Sequence, residues 1–145
     1  KIIKYDKKST NLASFKNYTD EVNTIYKKKN QITEKIEIIR LDELNFNFHN
    51  KSVLKVDVQG LEVEVLKGAT NSLKLFDLII IECSFVKEYL HSEPSFPDIV
   101  ELLKKDDLYP IIFQGYGKLI SSYAIERDVI FVKKHLLDKI LYTNY

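Results

Sequence analysis

The chain has no methionine, one cysteine and only four glycines in 145 residues, and each shortage excludes something. With no methionine and a strand-like KIIKY at its very start, an N-terminal truncation is the reading of Lys1. The single cysteine, Cys83, rules out an intrachain disulfide and fits a reducing, cytoplasmic setting. There is no signal peptide and no apolar run approaching the roughly 20 residues that a membrane span needs. The glycines, Gly60, Gly68, Gly115 and Gly117, form neither a G-x-G-x-x-G turn nor a P-loop, so a glycine-rich cofactor loop must lie outside these residues. Basic residues number 22 against 21 acidic ones, for a formal charge of +1, which lacks the basic excess of a nucleic-acid or membrane-surface binder.

What is present is enough for a folded core. A hydrophobic share of 45% with 12% aromatic residues, in a chain this long, reads as one globular domain over residues 1–145. Residues 1–35 form a polar, partly irregular segment: a short strand at Lys1–Tyr5, a polar loop KKSTNLASFKN, and a lysine-rich stretch ending in YKKKNQITEK that reads as a solvated charge run. IEIIRL, Ile36 to Leu41, is expected to be a strand, followed by a short helical turn at Leu41 to Leu44 and a polar loop NFNFHNK.

The pattern then becomes regular. Val53, Leu54, Val56 and Val58 mark a strand that ends at Gln59-Gly60, and Leu66, Ala69, Leu73 and Phe76 follow at helical spacing. Leu78 to Ile81 is an uninterrupted apolar run, expected of a strand covered on both faces. Ser95-Phe96-Pro97-Asp98, with an acid three positions after a serine and proline in the first turn, starts a helix whose buried face is Ile99, Leu102 and Leu103. Lys105-Asp106-Asp107 ends it, a strand at Ile111 to Phe113 runs into Gly115-Tyr116-Gly117, and DVIFV, Asp128 to Val132, is a last strand before a helical tail from His135 to Tyr142. This order predicts a parallel sheet whose last member is antiparallel.

Asp57 and Glu82 stand at the ends of two apolar runs joined by a helix, the place where ligands gather in parallel sheets. Asp57 reads in two ways. As a carboxylate within an apolar strand it needs a compensating neighbour, which the Gln59-Gly60 turn would supply, or it serves a ligand. Glu62 favours the N-terminus of its helix through the helix dipole, and a buried ion pair with Lys55 is the structural reading of Glu82. Cys83 reads as a small buried hydrophobe, and His49, His91 and His135 lack the local spacing of a metal site. Tyr116 sits in a glycine-flanked turn where a ring could stack on a substrate, although turn chemistry accounts for those glycines equally well.

VLKVDVQGLEVEVLKGA, Val53 to Ala69, resembles the C-terminal half of the FkbM-type methyltransferases, whose hallmark is a strand of the kind LKIDVEG followed by E-x-x-VLKGA. IRLDEL at Ile39 to Leu44 resembles the upstream TLDDL segment, and LIIIECS and the final DVIFV follow in order, so that the likeness covers about Ile36 to Lys133. The resemblance implies a mostly parallel, Rossmann-like class I sheet, S-adenosylmethionine as cofactor, and O-methylation of a saccharide or other small molecule. It implies a cofactor-binding or substrate-binding role for Asp57, Gln59, Gly60 and Glu62, with Asp57 the catalytic residue and Glu82 second to it. The family's glycine-rich first turn has no counterpart, and Gln59 stands where glutamate is frequent. A non-catalytic α/β interaction module and another Rossmann-like nucleotide binder are the alternatives.

Overall fold

The computed structural model describes residues 2–5, 9–14, 31–45, 52–87, 94–114, 119–120, 123–124 and 126–142. Three short strands, β1 (Ile2–Tyr5), β2 (Ser9–Ser14) and β3 (Gln31–Glu34), form an antiparallel sheet in the order β2-β1-β3. The expected polar loop therefore contains a strand: Ser9 pairs with Tyr5 and Ser14 with Ile3, so a partner overrides weak local propensity. The opposite correction applies to Ile36–Leu41. Residues 35–40 form no strand, and Ile38 and Ile39 are 66% and 54% exposed. β-Branched composition makes no strand where the backbone has no ladder to join.

A four-stranded sheet carries the rest of the description. It contains β4 (Val53–Val56), β5 (Leu78–Ser84), β6 (Leu108–Gln114) and β9 (Glu126–Lys133), in the order β4-β5-β9-β6. A small hairpin of β7 (Leu119–Ile120) and β8 (Tyr123–Ala124) precedes β9. β4 and β5 pair in parallel from Val53 opposite Leu78 to Val56 opposite Ile81. β9 pairs antiparallel with both β5 and β6. The sheet is thus mixed rather than mostly parallel, because the reversed last strand inserts between β5 and β6. Pro110 lies on the edge strand β6 at an irregularity in the pairing, where a missing N–H costs least.

The link between β4 and β5 is α1 (Glu62–Lys67) followed by a 3-10 turn at Ser72–Leu75, not one continuous helix. Gly68 caps α1, yet the helical spacing still predicts the core: Leu66, Ala69, Leu73 and Phe76 are all buried. α2 (Ser95–Lys104) adds Ile99 and Leu103 to the same core, and its chain reverses at Asp107 in the left-handed region, φ 55°. Ser95 does not cap α2. Its hydroxyl instead accepts the Ser84 amide at 2.9 Å, while the Ser95 amide donates to Ser84 Oγ at 2.9 Å, clipping the helix start to the end of β5. A tail helix, α3 (Lys134–Tyr142), follows β9 directly.

On β5 burial alternates. Ile79, Ile81 and Cys83 face the core, while Leu78, Ile80, Glu82 and Ser84 are half-buried. The expectation of complete cover on both faces is thus corrected, and the second face is where charged groups collect. Among the described residues no helix is long and apolar enough to cross a membrane.

Candidate functional site

β4 stops at Val56, and the chain turns through Gln59 at φ 54° and Gly60 at φ 97°. Gly60 suits that conformation because it has no Cβ, whereas Gln59 adopts it against its preference. Glu62 braces the turn. Its carboxylate accepts the Gly60 amide on both oxygens at 3.1 Å and the Val58 amide at 3.3 Å, and the residue is only 4% exposed. Burial holds the Glu62 carboxyl above the usual carboxylate range, against the lowering effect of its own, Gly60 and Val58 amides.

Asp57 lies just beyond the strand and not within it, and its side chain is 41% exposed. The expected desolvation penalty does not arise there. Of the two turn donors expected for it, the Gly60 amide serves Glu62 instead, while Gln59 contributes its side chain: Nε2 lies 3.2 Å from Asp57 Oδ1. The same nitrogen donates to Glu82 Oε2 at 2.7 Å, so one carboxamide joins the two acids on neighbouring strands.

Glu82 has no ion pair with Lys55, which corrects that expectation. Lys55 Nζ lies 2.8 Å from Asp128 Oδ1 and 3.8 Å from Asp57 Oδ2. Glu82 is left among acids, and its carboxyl is pushed up to about 8 by burial first, then by Glu126, by the charge and hydrogen bonding of Asp57, and by Glu62. At neutral pH it holds its proton. Lys55 is held above its ordinary value: burial opposes this, and the hydrogen bond and charge of Asp128, with Asp57 and Glu82, outweigh it.

The structure brings Asp57, Gln59, Gly60, Glu62 and Glu82 together at the carboxyl ends of β4 and β5. Sequence reasoning missed Glu126 and Asp128. Asp128 opens the DVIFV strand and stands opposite Glu82, while Glu126 stands opposite Ser84; spacing by two on a strand was the available signal that the two acids share one face, and the pairing puts that face beside Glu82. Asp42 was also missed as a bracing residue. Its carboxylate accepts the Asn71 amide at 3.1 Å, the Ser72 amide at 2.9 Å and the Ser72 hydroxyl at 2.8 Å, fixing the turn after α1. Burial pushes its carboxyl up, but the Ser72 and Asn71 donors, with Arg40, bring it below its ordinary value.

Cys83 is buried, donates to the Ile81 carbonyl at 3.6 Å and is pushed up to about 12, by burial first and then by Glu62, Asp128 and Glu82, so it stays a thiol. His135 Nε2 is 3.9 Å from Asp77 Oδ1, while His49, His91 and Tyr116 lie outside the described residues. Among the described residues, no group of three or more His, Cys, Asp or Glu is placed to hold a metal ion. An apolar cleft of about 330 Å³ lies along β4, lined by Ile38, Ile39, Leu54, Val58, Leu61 and Val65 among others. Neither Asp57 nor Glu82 lines it.

An α/β chain with this four-stranded mixed sheet is consistent with a methyltransferase-like fold. The family model of the methyltransferase FkbM domain matches residues 2–111, well over half of the chain, and the chain belongs to that family. The match takes in β1, β2 and β3, ahead of the motif resemblance that starts at Ile36, and stops short of β9. No curated protein and no solved structure matches the chain.

Proposed function

We propose that the protein takes part in S-adenosylmethionine-dependent O-methylation of a saccharide or other small hydroxylated molecule, on a Rossmann-like class I sheet. Family membership supports the reaction class. The parallel β4–β5 pair joined through α1 supports the sheet type. The observation that carries the site is the Asp57–Gln59–Glu82 chain of hydrogen bonds at the carboxyl ends of those two strands.

The carboxyl groups of Asp57, Glu82, Glu126 and Asp128 gather on three adjacent strand ends, a donor set suited to the sulfonium end of the cofactor. S-adenosylmethionine supplies an already activated methyl group. The part left to this chain is alignment. Asp57, the more exposed acid, would point the acceptor hydroxyl and accept its proton on methyl transfer. Glu82, protonated at neutral pH, keeps a second negative charge from opposing that of Asp57. The near-neutral net charge and the lone thiol support a small-molecule acceptor and a cytoplasmic setting over a nucleic-acid or membrane partner.

The test is release of S-adenosylhomocysteine by the full protein, given S-adenosylmethionine with a panel of free saccharides and hydroxylated macrolactones. Acceptor-dependent release that Asp57→Asn abolishes is the expected result. Failure with every acceptor would favour the non-catalytic interaction module, a reading that the apolar cleft along β4, an edge strand among the described residues, supports independently.

A further inference from the structure

Gln59 is the uncharged member of a charged site, and it stands in a backbone conformation that disfavours it. A left-handed φ of 54° costs a residue other than glycine about 1 kcal/mol, and a turn alone would be better served by glycine or asparagine. The side chain accounts for the choice. A carboxamide nitrogen carries two hydrogens, and Gln59 Nε2 has one carboxylate oxygen at 3.2 Å on Asp57 and another at 2.7 Å on Glu82. The turn that aims it is itself fixed from behind by Glu62 on the Val58 and Gly60 amides.

We propose that Gln59 is the positioning residue of the site: its carboxamide ties Asp57 and Glu82 into one proton-sharing pair and sets the direction in which Asp57 faces the acceptor. The second half rests on the methyltransferase reading; the first half does not.

The surroundings show why an amide serves here. Facing the pair are Glu62 from α1, Glu126 and Asp128 from β9, and the ammonium of Lys55 from β4, which is engaged with Asp128 and Asp57. Two ionised carboxylates in such company would repel one another, which favours a single proton held between them. A lysine at position 59 would neutralise one of them and remove a titratable proton, and a glutamate would add a further negative charge. An amide donates to both and changes the charge of neither. Donation favours the ionised form of each acid, so the bridge also limits how far the acidic neighbours raise Glu82.

The experiment is a carbon-13 carboxyl titration by NMR of the protein alone, comparing wild type with Gln59→Gly and Gln59→Glu. Gln59→Gly relaxes the backbone while deleting the amide. It should melt no lower than wild type and shift the Glu82 midpoint upward by about one pH unit, with Gln59→Glu shifting it further. An unmoved Glu82 midpoint in a folded Gln59→Gly protein overturns the pairing. If that variant does not fold, Gln59→Asn, which tolerates the left-handed region but is one methylene shorter, must give the same upward shift or the proposal fails.

Methyl transfer is read separately. A wild type that transfers methyl groups alongside a Gln59→Gly protein with unchanged kcat and pH profile overturns the aiming role. Moved midpoints with no transfer by any form overturn the methyltransferase reading and leave the pairing standing.

Discussion

Lys55 on β4 reaches past β5 to place its ammonium 2.8 Å from Asp128 on β9, so the cation expected for Glu82 is committed to a different acid. Lys55 stands opposite Ile80 on the intervening strand. An ion pair spanning three strands ties the carboxyl end of β4 to the amino end of β9 across β5, and it leaves Glu82 beside the Gln59 amide and among acids.

Glu82 therefore makes stability fall with rising pH. Its folded carboxyl titrates at about 8, above the ordinary value of 4.5, so the folded state holds a proton that the unfolded chain releases. The stabilising contribution is complete below the ordinary value and is lost as pH rises through the folded one. The thermal midpoint of wild type should decline from about pH 5 to about pH 9, and Glu82→Gln should flatten that decline. Parallel slopes in calorimetric melts across the series would remove Glu82 as its source.

Asp42 predicts the opposite sign. Its carboxyl is held below the ordinary range, so its stabilising contribution is present above about pH 4 and is lost as pH falls through the folded value. Asp42→Asn should melt below wild type at neutral pH, and the gap should close in acid. A gap that widens in acid would contradict the bonding to Asn71 and Ser72.

Asp57→Asn tests chemistry apart from folding. Asparagine keeps the shape and loses the charge at a side chain that is 41% exposed, so thermal stability should change little. Methyl transfer should fall roughly 100-fold or more, the scale of a lost general base. Turnover within a few-fold of wild type, with the true acceptor, would return Asp57 to a structural role. A larger loss in Glu82→Gln than in Asp57→Asn would move the central role to β5.

Glu62 is expected to matter for folding more than its position on a helix N-terminus implies. Glu62→Ala leaves the Val58 and Gly60 amides without their acceptor and should cost about 2 kcal/mol in denaturant unfolding. Glu62→Gln keeps one acceptor oxygen and should cost less than half as much. Equal losses in the two variants would point to lost packing rather than lost hydrogen bonds.

These residues show what the sequence made legible. The β4–β5 pair could be read because two apolar runs and a helical spacer leave few alternatives, and Leu66, Ala69, Leu73 and Phe76 all entered the core. The brace by Glu62 was hidden because Glu62-Val63-Glu64-Val65 shows the same alternation whether or not the first acid turns back onto the chain. Ile36–Leu41 misled because composition reports β tendency but not whether a neighbouring strand exists. Asp128 and Glu126 escaped because nothing local in DVIFV tells which strand it will lie beside; that depends on partners far away in the chain.

The insertion of β9 between β5 and β6 has a consequence for how the protein is made. As the nascent chain leaves the ribosome, β4, β5 and β6 emerge before β9, and β5 and β6 have no strand in common until residues 126–133 arrive. Long-range pairings of this kind form late, since loop closure must precede the contacts that reward it. Until residues 126–133 pair, β5 and β6 each keep an unpaired edge and Glu82 does not yet face Glu126 or Asp128, so the late arrival of β9 completes the acidic face of the candidate site.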